Sequence, residues 1–214
     1  MPENYILNNE VQLKGIVDSP LHFSHESYSE IFYTFVLKVP RLSNIFDYLV
    51  VTTSEMLIRE LPMKIGDPVS LKGQFRSYNN YNKEGNRLLL TVFASEITSN
   101  DDMEGGNSIF LNGYICKPPI YRTTPFGREI TDILLAVNRS YNKSDYIPCI
   151  AWGRNARFSA GIAVGENIRI NGRVQSREYQ KKLSEEETIT KTAYEVSINK
   201  IEHVIAGELS ESSV

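Results

Sequence analysis

Short apolar runs at period two dominate this chain, and they predict strands. Val11-Gln12-Leu13 and Val69-Ser70-Leu71 alternate apolar and polar positions, the pattern of a strand with one buried face. Ile109-Phe110-Leu111 and Ile168-Arg169-Ile170-Asn171 play the same parts later in the chain. Tyr33–Val39 and Ile130–Val137 are longer apolar runs, consistent with central strands. Leu49-Val50-Val51 and Ile147–Trp152 follow as third strands, and Leu88–Phe93 and Thr192–Ile198 come last. Two segments depart from this period and predict short helices. Ser54–Leu61 is stopped by Pro62, and Arg154–Ala160 ends near Gly161. Ser54 suits an N-cap and Glu55 suits the first turn of the earlier helix.

The elements recur in order, because the chain contains one unit twice. Leu13-Lys14-Gly15 returns as Leu111-Asn112-Gly113, Phe35–Val39 as Ile133–Val137, and Asp47-Tyr48-Leu49 as Asp145-Tyr146-Ile147, each 98 positions later. Gly66-Asp67 matches Gly165-Glu166 and Leu71-Lys72-Gly73 matches Ile170-Asn171-Gly172 at an offset of 99. Glu96-Ile97 matches Lys200-Ile201 at 104, so the second copy has a longer final hairpin. A nearly constant offset marks an internal repeat of small-domain size. The boundary falls in the polar stretch 98–107, which ends near Gly105-Gly106 and reads as a flexible linker. The division is a first domain at 1–106, a second at 107–205, and a disordered polar tail at 206–214.

Five strands with a helix between the third and fourth is the order of the OB-fold, a partly open Greek-key barrel. The expected class is therefore all-β, with two tandem OB-folds that each carry one short helix. Gly15, Gly73, Gly113 and Gly172 fall inside strands, where a small barrel needs sharp bends. Another small β-barrel of similar size fits the same strand count.

Composition bounds the function. The 214 residues are 41% hydrophobic and 23% charged, an ordinary globular composition. No apolar run reaches the length of a membrane span, and Met1–Tyr5 lacks the start of a secretory signal. Cys116 and Cys149 form no metal-binding Cys-x-x-Cys spacing. A cytoplasmic location is the simplest expectation. Enzymatic signatures are missing: there is no phosphate loop and no dinucleotide-binding glycine motif. His22 and His25 lie in a polar segment with only Glu26 beside them, too few ligands for a metal. Glu185-Glu186-Glu187 reads as a solvated hairpin tip. The expectation is a protein with no catalytic residues, no metal and no cofactor.

Taken as a whole-chain sum, the net charge of −3 disfavours a phosphate ligand, but it is unevenly spread. Residues 1–106 carry −5, residues 107–183 carry +7 and residues 184–214 carry −5. Eight of the twelve cations in the basic segment are arginine, which forks onto phosphate and stacks on planar rings. Tyr114, Tyr121, Phe126, Tyr141, Tyr146, Trp152, Phe158 and Tyr179 are interleaved with Arg122, Arg128, Arg139, Lys143, Arg154, Arg157, Arg173, Arg177, Lys181 and Lys182. Cations along a groove hold a phosphate backbone while aromatic faces stack unpaired bases, which suits a single strand. The competing assignment makes each tyrosine core and each arginine solvated surface. For Tyr179, period two places Arg173, Gln175 and Arg177 on its own face, which argues against core.

These residues resemble the bacterial single-stranded DNA-binding protein family. Ile120–Arg128 is similar to the family's loop after its first strand. Leu135–Tyr141 is similar to its second-strand motif, Asp145–Ala156 to its third strand and helix start, and Val164–Tyr179 to its fourth strand. The resemblance assigns base stacking to Tyr141, Tyr146, Trp152 and Tyr179. In the first copy Tyr48 aligns with Tyr146, and Tyr78 or Tyr81 stands for Tyr179, whereas Ser54 occupies the place of Trp152. The backbone cations expected from the basic segment are Arg122, Arg128, Arg139, Lys143, Arg154, Arg173, Arg177 and Lys181.

The resemblance implies sequence-independent binding and protection of single-stranded DNA in replication, recombination and repair. It also implies a bacterial, nucleoid-associated location, and a homodimer that presents four OB-folds. The family's tail tip recruits replication and repair proteins; Gly207–Val214 lacks its acidic-hydrophobic ending. The acidic first copy motivates a different class, a protein–protein adaptor of a replication or primosome assembly. RNA is a third ligand class, because stacking platforms do not exclude ribose.

Overall fold

The first copy is built from β1 (Asn9–Val17), β2 (His22–Ser27), β3 (Glu30–Pro40), β4 (Phe46–Ser54), α1 (Glu55–Glu60), β5 (Pro68–Asn79) and β6 (Leu88–Ser99). The second follows with β7 (Gly106–Ile115), β8 (Ile120–Thr123), β9 (Glu129–Arg139), β10 (Lys143–Trp152), α2 (Arg154–Ser159), β11 (Asn167–Lys182) and β12 (Thr188–His203). The computed structural model describes residues 8–43, 45–80, 88–100, 105–182 and 188–204. The Glu185–Glu187 run, Tyr81 and the tail at 206–214 lie outside these residues, as does the side chain of Lys181.

Each copy closes the same ladder. In the first, β1 pairs antiparallel with β3 and β5, β3 with β4, and β5 with β6, while β4 and β6 run parallel. In the second, β7 pairs with β9 and β11, β9 with β10, and β10 and β12 run parallel. A five-strand ring with one parallel pair is the OB-fold order, so the all-β reading holds. Period two explains the interiors. Val11, Leu13 and Val17 of β1 point inward with Phe35, Leu37, Leu49, Leu71 and Phe75, all nearly inaccessible. Leu111, Ile115, Leu135, Ile147 and Ile168 fill the second interior. Each such side chain contributes about 1.5–3 kcal/mol through burial.

Two details differ from expectation. Each copy has a sixth strand: β2 and β8 pair with β3 and β9. Every residue of β8, and all but the last of β2, is exposed, so no buried face marked them in the sequence. His22 and His25 accordingly lie in a strand, and the His25 ring stacks on Phe32 at 4.8 Å. The expected linker is also shorter, since β6 reaches Ser99 and β7 starts at Gly106. The helices match closely. Ser54 caps α1 by accepting the Leu57 N–H.

The in-strand glycines answer to close backbone approach. A Cβ on Gly73 would drive into the Phe93 carbonyl, and one on Gly172 into the Ser197 carbonyl.

The compact units do not follow the repeat. One combines Ile109–Arg173 with the described residues of Met1–Glu10 and Val196–Val214; the other combines Val11–Ser108 with Val174–Glu195. The outer parts of β11 and β12 thus pack with the 11–108 unit. A buried carboxylate anchors them there. Asp47, fully buried, takes the Arg41 guanidinium, with Nε to Oδ2 at 2.8 Å, and accepts the Ser176 N–H at 2.8 Å. Arg41 also donates to the Ser176 carbonyl at 2.9 Å, and Ser176 Oγ accepts the Tyr48 N–H at 2.9 Å. The 109–173 unit repeats the ion pair 98 positions later as Arg139 and the buried Asp145, at 3.4 Å.

Candidate nucleic-acid interface

β10 sets out the aromatic positions of the 109–173 unit. Ile147, Cys149 and Ala151 point into the barrel, which leaves Tyr146, Pro148, Ile150 and Trp152 on the opposite face. Tyr146 lies opposite Ala136 of β9, a side chain too small to cover its ring, and is 45% exposed. Trp152 is 37% exposed and donates its indole N–H to Ser197 Oγ at 3.2 Å. That bond holds one edge of the ring while a face stays open. Tyr146 and Trp152 lie about 20 Å apart along the strand.

Tyr141 projects from the β9–β10 turn and is almost fully exposed. Its φ of +63° and the +53° of Asn142 are left-handed values that a tyrosine adopts at a cost. The solvated ring of that turn has no packing role.

The predicted cations fall into two groups. Arg122 is forked onto Asp132 at 2.7 and 3.3 Å, Arg139 is turned onto buried Asp145, and Arg177 lies 3.5 Å from Glu195. Arg128, Lys143 and Arg154 are exposed, and no ion pair is formed by them among the described residues. Arg173 is half-buried with polar partners of its own. Arg128 ends a tight loop in which Thr124 N–H reaches the Arg128 carbonyl at 2.8 Å and Gly127, at φ +74°, reverses the chain. The same loop holds Phe126 almost fully exposed. Arg154 opens α2, where positive charge opposes the helix dipole and the first turn has no acidic residue. That placement weakens the helix.

Tyr179 and Arg177 belong to the 11–108 unit, together with Tyr48 and Tyr78. The Arg177 guanidinium lies 5.9 Å from the Tyr179 ring centre. On the same strand Gln175 is buried and donates to Glu195 at 2.7 Å, so it supports the strand pair rather than facing solvent. Tyr48 is 43% exposed, and Tyr78 is half-buried. Beside them are groups that the family pattern does not mark: Lys38, Phe46, Arg76 and Phe93. Their sequence signal was weak, because each is a single aromatic or cation in an acidic segment.

Among the described residues, no group of three His, Cys, Asp or Glu is placed to hold a metal. No helix there is long and apolar enough to cross a membrane. Tyr121 is exposed, and its hydroxyl donates to Glu129 at 2.6 Å, which raises its pKa above the ordinary phenol value.

The model of the single-strand binding protein family matches residues 106–204. The single-stranded DNA-binding protein B of Bacillus subtilis is 32% identical over 81 residues, which are 35% of this chain and 72% of that protein. The chain belongs to the single-strand binding protein family. A Clostridium tetani member, a single-stranded DNA-binding protein, is 36% identical over 83 residues, covering 36% of this chain and 57% of its own. This family member thus spans about half the length of the first curated relatives it matches, 57% and 48%. The wild-type single-stranded DNA binding protein from Thermus aquaticus superposes with a TM-score of 0.75 over 93% of this chain and 94% of its own, at 16% identity. That likeness is one of fold, and it takes in both copies of this family member.

Proposed function

We propose that the protein binds single-stranded DNA without sequence preference, and that the second copy supplies the principal surface. The carrying observation is the outer face of β10, which presents Tyr146 and Trp152 in a unit whose Arg128, Lys143 and Arg154 are exposed and form no ion pair among the described residues. Open ring faces stack unpaired bases, and free cations draw in phosphates. A duplex offers no such bases, so single strands are preferred. Coating exposed strands in this way protects them during replication, recombination and repair, in the bacterial cytoplasm at the nucleoid. The two repeat copies, 1–106 and 107–205, act as separate OB-folds, and a homodimer brings four of them to one strand. The family name of the relatives, the fold and the ring-and-cation pattern support this reading. No step in it calls for a catalytic group, a metal or a cofactor.

The test uses the single tryptophan. Adding oligo-dT quenches Trp152 fluorescence, and a duplex of equal length binds much more weakly. Absence of quenching with equal affinity for both would sink the proposal.

A further inference from the structure

In the first copy the position of Trp152 is taken by Ser54, as the strand registers make plain. Ser54 lies opposite Phe32 on β3, as Trp152 lies opposite Ile130 on β9. The parallel ladders fix a second equivalence. Phe93 is registered with Thr52, and Ser197 with Ile150, residues 98 apart. Gly73 and Gly172 approach the carbonyls of the same two residues, Phe93 and Ser197. The second copy therefore has tryptophan on its third barrel strand and serine on its fifth. The first copy has serine on the third and phenylalanine on the fifth. The ring has changed strands while staying on the same patch of barrel surface.

A cation accompanies the moved ring. The Arg76 guanidinium carbon lies 4.0 Å from the Phe93 ring centre, and Gln74 Oε1 holds the guanidinium by accepting from Nε at 3.2 Å and Nη2 at 2.9 Å. Arg76 forms no ion pair among the described residues, in a copy that is acidic overall. Phe32 is a further ring neighbour, tilted by 41° with its centre 5.6 Å from that of Phe93. Thr52 and Thr91 join their hydroxyls at 2.9 Å and so share a face, which places Tyr48 and Phe93 on that face at period two. Tyr48 and its exposed neighbour Phe46 carry their own cation. Lys38 Nζ lies 4.3 Å from the Phe46 ring centre and 6.0 Å from that of Tyr48.

From this we infer that the first copy has its own single-strand stacking surface, in which Phe93 under Arg76 stands in for the missing Trp152. The inference rests on the proposed reading of the second copy as a single-strand binder, and it adds a second set of stacking residues. Two ring–cation pairs on one sheet face, with Phe46 and Tyr48 exposed and Phe93 half-exposed, offer a single strand both rings for its bases and cations for its phosphates. A purely structural Arg76 would be expected on a carboxylate, as Arg41, Arg59 and Lys72 are in this copy.

The test moves the fluorescent reporter. Phe93→Trp in a Trp152→Phe background leaves one tryptophan, sited in the first copy. Labelled oligo-dT long enough to span both copies is titrated by anisotropy while tryptophan emission is followed. The inference expects binding together with quenching at position 93. It also expects that Arg76→Gln, in the otherwise native chain, weakens binding of the long oligonucleotide about tenfold. Binding with unchanged emission from position 93, and no loss with Arg76→Gln, overturns the inference and leaves the second-copy reading standing. No binding by the native chain overturns both.

Discussion

Trp152 and Ser197 are joined across the parallel pair of β10 and β12, with the indole N–H donating to the serine hydroxyl at 3.2 Å. The bond costs the ring its rotational freedom before a ligand arrives, so less ordering remains to oppose stacking. Ser197→Ala removes it. Stability falls by about 1 kcal/mol. Tryptophan anisotropy drops and affinity for oligo-dT weakens modestly. Unchanged anisotropy would show that the hydrogen bond does not hold the ring.

Asp47 is an anchor for the chain around it. Asp47→Asn leaves Arg41 without a counter-charge at a site where Asp47 also takes the Ser176 N–H. The expected destabilisation is about 3 kcal/mol, read as a lower urea midpoint. Arg59→Ala breaks an exposed pair with Glu55 and lowers stability by no more than about 0.5 kcal/mol, so the midpoint barely moves. Similar shifts for the two variants would contradict the assigned roles.

The division of the arginines predicts unequal salt dependence. Arg128→Ala removes a cation with no ion pair among the described residues, and the slope of log K against log salt becomes shallower by about 0.7. Arg122→Ala removes one already forked onto Asp132, so its slope changes less. Titrations with oligo-dT at several salt concentrations separate the two cases, and equal slopes would refute the distinction.

Cys116 gives a pH-dependent signal of its own. Partial burial raises its thiol pKa above the ordinary value, and Sγ–H donates to the Leu134 carbonyl at 3.2 Å. The thiolate is the reactive form, so alkylation by iodoacetamide keeps rising with pH beyond the point where a free cysteine has levelled off. Cys149 is buried and reacts only on unfolding. A Cys116 profile identical to that of free cysteine would remove the desolvation argument.

Period two was enough to place the strands of both barrels and to put Tyr146 and Trp152 on one face, because a residue's side of a strand is a local property. The two helices were legible for the same reason, through Ser54, Pro62 and Gly161. β2 and β8 were not, since neither buries a face that would print a pattern. Charge summed over a segment located the basic region but did not separate Arg128 from Arg122, Arg139 and Arg177. Each of those three meets its carboxylate across strands or across a turn, and only folding brings the partners together. Gln175, placed by period two on the polar face of Arg173, Arg177 and Tyr179, is buried against Glu195.

The exchange between Ser54 and Phe93 marks the boundary most clearly. Comparing the copies position by position finds serine where a stacking ring belongs and reads a loss. Strand pairing sets Phe93 beside that serine, 39 residues away in the chain, so the ring persists on the surface from another strand. Alternation along one strand is encoded in neighbouring residues. Which strands lie side by side is decided by the fold: the β5–β6 pairing forms the Arg76–Phe93 pair, and the parallel contact of β4 with β6 brings it to the strand of Ser54.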